Sequence, residues 1–175
     1  MLARFIQNST SIQYTKSQHL FHQGDEIGDL LFVKKGLLKA YYITESGKEF
    51  VKSFIAEGQL IASLSALLGR GRCTFNVVAL EDCEVHMVPR QQVLALQEGG
   101  VEALRGLNGV LLDLAQKKEK REYEFLCFSA EERYQSFLKE YPAIASRISQ
   151  FDIAAYLGIT PVALSRIKSR MKQSL

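Results

Sequence analysis

The sequence predicts an α+β protein in three parts: an N-terminal antiparallel β-roll or jelly roll, a long connecting helix and a C-terminal helix-turn-helix. Strand-like segments alternate with glycine turns in the first half, a leucine stripe with helical spacing follows, and a glycine turn near the end separates two short helical segments. We expect the three parts to span residues 1–98, 99–128 and 129–175.

Composition places the chain among globular proteins. Of its 175 residues, 47% are hydrophobic and 23% are charged, which excludes disordered, collagen-like and disulfide-dense classes. No apolar run approaches the roughly 18 residues of a membrane span, and the first residues lack the apolar core of a secretory signal. We therefore expect a cytoplasmic protein that does not enter a membrane.

Glycines recur through the first half of the chain. Their spacings are 12, 11, 11 and 11 residues, at Gly24, Gly36, Gly47, Gly58 and Gly69. Between them lie segments rich in Val, Ile, Phe and Tyr, namely LLFVKKG, LLKAYYIT, EFVKSFIA, FNVVAL and CEVHMVP. Because regular turn signals between short strands are typical of sandwiches and barrels, residues 12 to 90 are predicted to form a jelly-roll-like domain.

A helical period replaces the strand pattern in the next segment. Four leucines with 3, 4, 3 spacing predict the apolar face of a helix of about 25 residues: Leu104, Leu107, Leu111 and Leu114. This stripe could cover the β domain, or it could form a coiled-coil seam between two subunits. We favour the seam and assign the four leucines to a homodimer interface. Gly106 and Gly109 count against it, since each costs roughly 1 kcal/mol of helix propensity relative to Ala, unless close approach of two helices explains them.

The segment from Ser129 onward has the signals of a small helical domain. Ser129 followed three residues later by Glu132 is a capping box that begins one helix, and Pro142 ends it. The following window QFDIAAYLGITPVALSRIKS, residues 150 to 169, fits a helix-turn-helix in which Gly158 adopts the left-handed turn conformation.

Residues on both sides of Gly158 fit the same motif. Ala154 is small where the second helix must approach, and Thr160 and Pro161 provide the N-cap and first residue of that helix. Five apolar residues are predicted to form the shared core: Ile153, Leu157, Ile159, Leu164 and Ile167. A plain αα-hairpin is the alternative interpretation.

Positive charge is concentrated at the end of the chain. The net charge is +3, and the last 33 residues contain five cationic residues against Asp152 alone, which indicates a polyanion partner or else a solvated basic face. The helix after Gly158 carries groups suited to phosphates and base edges. The candidate DNA-binding residues are Thr160, Pro161, Val162, Ser165, Arg166, Lys168, Ser169 and Arg170.

These features together resemble the Crp/Fnr superfamily of bacterial transcription regulators. The resemblance rests on HLFHQGDEIGDLLFVKKGLLKAYY, ALEDCEVHMV and DIAAYLGITPVALSRI, which includes the Leu-Gly turn and the Ser-Arg pair of that family. It implies a homodimer that binds a two-fold symmetric double-stranded DNA site, with RNA polymerase as a further candidate partner. It also implies that a small-molecule effector is sensed in the β-roll and that the long helix transmits the signal.

The chain departs from the members of this superfamily that bind cyclic AMP. Their phosphate-binding cassette, roughly Gly-Glu-Leu and then Arg-Ser-Ala, corresponds here to IASLSALLGRGRCTF, which has no carboxylate at Ser63. Since unpaired ribose hydroxyls would cost several kcal/mol, we expect the effector not to be cyclic AMP. The candidate effector pocket consists of Ser63, Leu64, Arg72, Cys73 and Thr74, although for Arg70 and Arg72 we favour a solvated loop over a ligand clamp.

No cofactor or metal site is predicted. No cysteine precedes Cys73, so the N-terminal cluster that holds iron and sulfur in the oxygen-sensing branch has no counterpart, and the three cysteines are expected to be buried thiols. His19, His22 and His86 are candidates for the haem ligand used in other branches, but lone histidines on strands are more often structural. The recognition helix also departs from the cyclic AMP receptors, with Pro161 and Val162 in place of Arg and Glu.

Two other functions compete with that of a regulator. A cupin-like enzyme would need a His-x-His pair, a Glu and a distant His, and the histidine spacing provides no such set. A ligand-binding or interaction module without DNA binding would be favoured if Arg166, Lys168 and Arg170 proved buried or paired. We therefore predict a Crp/Fnr-type transcription regulator and not an enzyme.

Overall fold

The computed structural model describes residues 9–173, which form an antiparallel β domain followed by helices. The first part contains two four-stranded sheets, with strand orders β1-β8-β3-β6 and β2-β7-β4-β5. The strands are β1 (Thr10–Tyr14), β2 (His19–Phe21), β3 (Leu30–Lys35), β4 (Leu38–Ile43), β5 (Glu49–Ile55), β6 (Leu60–Ile61), β7 (Asn76–Ala79) and β8 (Cys83–Val88). The predicted α+β class and jelly-roll-like domain are confirmed.

Each of the five predicted strand segments contains a strand, but three further strands were not predicted. β2 and β6 have only three and two residues, which is too short to show a period of two. β1 pairs with β8 along its whole length, yet four of its five residues are at least partly exposed. Its identity as a strand therefore depends on a partner about 70 residues away, not on its own apolar pattern.

The core of this domain lies between the two sheets. Leu31 and Val33 of β3, Val77 of β7 and Val85 of β8 are almost fully buried together with Phe21 of β2. Along β3 the residues between them are only half-buried, as expected for a strand with one face inward. All four residues of β7 are buried, so this strand is packed on both faces.

The regularly spaced glycines of the first half lie in turns that favour glycine. All five glycines have positive φ, and Gly36 between β3 and β4 shows why a side chain is excluded there. Its φ is +99°, and a Cβ atom would lie 2.5 Å from Cys83 Sγ and 2.8 Å from the Asp82 carbonyl oxygen. The hairpin can therefore close against β8 only when position 36 has no side chain.

The helices begin with α1 (Leu64–Leu67) and α2 (Arg90–Ala95), and continue with the long helix α3 (Val101–Cys127). The described chain divides into two compact units between Val110 and Leu111, within α3. The three-part division at residues 98/99 and 128/129 stays a prediction. The second half of α3 packs with the C-terminal helices. Arg121 lies over the Tyr156 ring at 3.9 Å and donates to the Tyr156 carbonyl at 3.0 Å.

The C-terminal unit continues with α4 (Ala130–Glu140), a 3-10 turn (Ala145–Arg147), α5 (Gln150–Leu157) and α6 (Pro161–Gln173). The Ser129 and Glu132 capping box is present in full. The predicted shared core is buried except for Ile159, which is only half-buried because it lies in the turn between α5 and α6. None of the described helices is both long and apolar enough to span a membrane.

The cysteine prediction holds for two positions and is wrong for the third. Cys73 and Cys83 are buried free thiols, whereas Cys127 is exposed. Cys127 is the last residue of α3, where the described chain places no packed element over the side chain. Burial raises the pKa of both the Cys73 and Cys83 thiols above the ordinary value for cysteine.

Candidate nucleic-acid interface

A tight turn sets the direction of α6 relative to α5. Gly158 ends α5 with φ +72° and ψ +26°, in the left-handed region predicted from the sequence, and the Ile159 N–H donates to the Ala154 carbonyl at 3.0 Å. A Cβ atom at position 158 would lie 2.9 Å from the ring of Phe125 in α3. The turn is therefore determined both by backbone conformation and by the ring packed against it.

The first turn of α6 is capped as the sequence predicts. The Thr160 hydroxyl accepts from the Ala163 N–H at 3.2 Å, and Pro161 is the first helical residue. Leu164 and Ile167 are almost fully buried against α5. Because these two residues fix one side of the helix inward, the opposite side faces solvent.

The exposed side of α6 carries the predicted DNA-binding residues. The seven that are exposed are Thr160, Pro161, Val162, Ser165, Arg166, Ser169 and Arg170. Val162 is 61% exposed, and the Arg166 guanidinium makes no hydrogen bond or ion pair to any described residue. Lys168 differs, because it is half-buried at the edge of this surface.

Two cations of α6 have partners inside the same unit. Lys168 Nζ donates to Gln150 Oε1 at 2.7 Å, and Arg170 Nη2 lies 3.1 Å from Glu131 Oε2. Paired cations are what an interaction module without DNA binding would show. Both contacts are nevertheless on the surface: Lys168 donates to a neutral amide, and an exposed ion pair such as Arg170–Glu131 contributes only about 0 to 1 kcal/mol. A phosphate could therefore replace either partner at small cost.

A shallow groove of about 250 Å³ runs beside α6. It is lined by Gln150, Pro161, Ser165, Lys168, Ser169 and Lys172. Gln150 and Lys172 were not predicted as site residues. Lys172 lies one turn after Lys168, so its helical spacing could have identified it. The position of Gln150 depends on how α5 packs against α6, and no signal in the sequence indicates it.

The candidate effector residues differ in their exposure to solvent. Ser63 and Cys73 are buried beside each other, with Ser63 only 1% exposed, and Leu64 is half-buried. The Cys73 thiol donates to the Ile27 carbonyl at 3.3 Å. The Ser63 hydroxyl forms no hydrogen bond with the Cys73 thiol. Burial raises the pKa of Cys73, and the nearby Ser63 hydroxyl offsets part of this increase.

Arg72 and Thr74 lie on the outer surface of the same region. The Arg72 guanidinium donates to the Gly24 carbonyl at 2.9 Å and forms an ion pair with Glu26 at 2.6 Å. Thr74 is exposed. Arg72, the only cation among the five candidate residues, is thus bound to a neighbouring loop. This arrangement is the one expected if Arg72 belongs to a solvated loop and not to a ligand clamp.

The histidines make structural contacts. His19 stacks on His22 with a centroid separation of 4.4 Å and shares a hydrogen bond with the Tyr41 hydroxyl at 2.9 Å. His86 contacts the Ser9 hydroxyl at 2.8 Å. Burial, followed by the charges of His22 and Lys39, lowers the pKa of His19. Within residues 9–173, no group of three or more potential metal ligands comes together.

The leucine stripe of α3 is not covered within the described chain. Leu104 and Leu111 are exposed and Leu107 and Leu114 are half-buried, and no residue of α3 is fully buried. A Cβ atom at Gly109 would meet no atom within 4 Å. An apolar stripe of this kind is typical of a helix that meets a partner.

Comparison with known proteins agrees with this arrangement. Residues 11–99 match the family described as cyclic nucleotide-binding domain. The fumarate and nitrate reduction regulatory proteins of Salmonella typhi and of Escherichia coli K12 are each 27% identical to the chain over 187 aligned positions, covering 99% of this chain and 72% of the relative.

Solved structures show the same fold over almost the whole chain. FixK2 from Bradyrhizobium japonicum is 22% identical with a TM-score of 0.83, and the alignment covers 95% of this chain and 85% of that protein. A mutant form of CooA from Carboxydothermus hydrogenoformans is 17% identical with a TM-score of 0.75 and coverages of 97% and 78%. The chain therefore belongs to the cyclic nucleotide-binding domain family and, with the helix-turn-helix that follows this domain, is a transcription regulator of the Crp/Fnr type and not an enzyme.

Proposed function

We propose that the chain binds a two-fold symmetric DNA site as a homodimer and places α6 in the major groove. The observation that carries this proposal is the exposed side of α6. Its first turn presents Pro161 and Val162, and Arg166 lies one turn further with no partner in the described chain. A recognition helix reads bases in this way, with apolar contacts to thymine methyls and an arginine to guanine.

Phosphate contacts come from the flanks of the same surface. Lys168 and Arg170 can exchange their surface partners for phosphate oxygens, while the hydroxyls of Ser165, Ser169 and Thr160 can donate to the backbone. Lys172 and Gln150 extend this set along the groove. Such contacts position the protein on DNA and make its affinity depend on salt.

The homodimer is proposed from the α3 stripe. Leu104, Leu107, Leu111 and Leu114 occur at coiled-coil spacing, and none of them is fully buried in the described chain. A second copy of the chain would cover this surface and place two α6 helices on the two halves of a palindromic site.

The effector is proposed to be a small molecule other than cyclic AMP, if the protein uses one. The position of the cassette carboxylate is taken by Ser63, which is buried, and Arg72 is paired with Glu26. RNA polymerase is a further proposed partner, since a regulator acts on transcription. Action on bacterial DNA would place the protein in the cytoplasm.

Selection of bound fragments from a random double-stranded DNA pool tests this function. The full chain should enrich fragments with an inverted repeat whose half-sites are centred about one helical turn, or a multiple of it, apart. Enrichment of single half-sites would contradict the homodimer, and no enrichment at low salt would contradict DNA binding. The Arg166→Lys variant is the matched control, because it keeps the charge but loses the planar guanidinium that recognises guanine.

An interaction module without DNA binding is the second candidate function, because Lys168 and Arg170 are paired with Gln150 and Glu131. If the chain is such a module, the same selection would enrich no sequence. Substitution of Lys168 or Arg170 would then leave any residual binding to DNA unchanged. The two candidates therefore give opposite results in a single experiment.

A further inference from the structure

The two paired cations of α6 have partners of different charge. Lys168 contacts the neutral side-chain amide of Gln150 at 2.7 Å, whereas Arg170 contacts the carboxylate of Glu131 at 3.1 Å. Both pairs join α6 to another helix of the same unit, Lys168 to α5 and Arg170 to α4. Only the Arg170 pair places a negative charge at the surface proposed for DNA.

Glu131 takes no part in the capping box of the helix in which it lies. That box consists of Ser129 and Glu132, and Glu131 is a second acidic residue of the same first turn. The Glu131 side chain is about one-third exposed and extends from that turn to Arg170, which is 61% exposed. Its carboxylate can therefore be neutralised without removing the cap or leaving a deeply buried charge.

We propose that Glu131 limits the affinity of the protein for DNA by competing with backbone phosphate for Arg170. This inference rests on the proposed DNA-binding function. A phosphate that approaches Arg170 must displace the Glu131 carboxylate or share the guanidinium with it, and two anions on one cation repel each other. Gln150 carries no charge, so Lys168 is available to phosphate without this repulsion.

The competition changes the salt dependence as well as the affinity. A cation that neutralises one phosphate contributes about one unit to the slope of log K against log salt. While Glu131 remains beside Arg170, the pair carries no net charge and contributes less than one unit. Removal of the Glu131 charge should therefore steepen the slope, and only when Arg170 is present.

Titrations of the full chain with a random-sequence duplex at several salt concentrations test this inference. The variants are Glu131→Gln, Arg170→Ala and the double variant, with Glu119→Gln as the matched control because it removes an exposed carboxylate from α3. We expect Glu131→Gln to tighten binding about twofold to fivefold per half-site at low salt and to steepen the slope. In the Arg170→Ala background, the same change should have no more effect than Glu119→Gln.

Other outcomes overturn the inference in distinguishable ways. Weaker binding by Glu131→Gln, with circular dichroism showing an unchanged fold, would mean that Glu131 positions Arg170 for DNA. Equal tightening by Glu131→Gln and Glu119→Gln, or tightening that persists in the Arg170→Ala background, would reduce the effect to overall charge. Absence of DNA binding by the wild type would remove the proposed function and this inference with it.

Discussion

The cations of α6 illustrate how residues of the same charge take different roles at one surface. Arg166 has no partner in the described chain, Lys168 has a neutral one and Arg170 has a carboxylate. An unpaired guanidinium on the exposed side is available for a bidentate contact with a base, whereas a cation at the edge is suited to phosphate. Base reading is therefore expected mainly from Arg166.

Changing Arg166 to Ala is expected to cost about 1 to 3 kcal/mol on the cognate site and to relax its sequence preference. The reason is the loss of the proposed bidentate contact between the Arg166 guanidinium and guanine. Binding titrations against the cognate and a random duplex measure both effects. Equal losses on the two duplexes would show that Arg166 does not read bases.

Changing Lys168 to Ala should weaken binding to all DNA sequences to a similar degree. Loss of one phosphate contact per half-site lowers the salt slope by about 1 for each half-site. The control is Lys139→Ala, which removes an exposed cation from α4. If Lys168→Ala changes the sequence preference instead of the slope, this side chain contacts bases and not phosphate.

The turn between α5 and α6 determines at the scale of the element which residues face outward. Gly158 provides the left-handed conformation, and the capped start at Thr160 sets where α6 begins. A change in either feature is expected to alter how α6 begins relative to α5. The stability of this turn is therefore also a condition for the proposed recognition of DNA.

Changing Gly158 to Ala should lower the free energy of unfolding of the C-terminal unit by about 1 to 3 kcal/mol. The cost combines the left-handed conformation with crowding against the Phe125 ring, 2.9 Å from the new Cβ atom. Gly47→Ala is the control, because that residue has φ +78° but open space around it. Denaturant unfolding followed by circular dichroism compares them, and an equal loss would show that Phe125 moves aside freely.

For the whole molecule, the proposed homodimer depends on the leucine stripe of α3. Its residues belong to a helix with no fully buried side chain, so a single chain leaves apolar area in contact with water. A second copy would remove that area from water. The proposed recognition of a symmetric DNA site depends on this association.

Changing Leu107 and Leu111 together to Lys should produce monomers, because four lysines would meet at a symmetric apolar seam. Light scattering at tens of micromolar measures the mass of each variant. Ile43→Lys with Leu68→Lys is the control, since those side chains are 44% and 42% exposed and lie outside α3. A monomeric wild type would show that the stripe does not form the interface.

Cyclic AMP should bind more weakly than about 10 μM, equivalent to roughly −7 kcal/mol. The reason is that Ser63, which is 1% exposed, provides no carboxylate for the ribose hydroxyls, and Arg72 alone would not distinguish cyclic AMP from other anions. Calorimetry of the full chain tests this, with adenosine monophosphate as the control for binding to any anion site. Tighter binding of cyclic AMP alone would restore the cassette as an effector site.

Features that depend only on neighbouring residues could be predicted from the sequence. The five central strand segments, the glycine turns, the Ser129 capping box and the Gly158 turn could all be predicted, because each follows from backbone conformation or hydrogen bonds within a few residues. The exposed side of α6 was predictable for the same reason, since helical periodicity relates it to Leu164 and Ile167.

The contacts between distant side chains could not be predicted from the sequence and are known from the tertiary structure. Arg72 turns to Glu26, Arg170 reaches Glu131 and Lys168 reaches Gln150, over separations of 46, 39 and 18 residues. Local sequence patterns likewise do not indicate that α3 is divided between two units or that β1 pairs with β8. These contacts depend on how whole helices and strands pack against each other. No period or spacing in a single sequence indicates that packing.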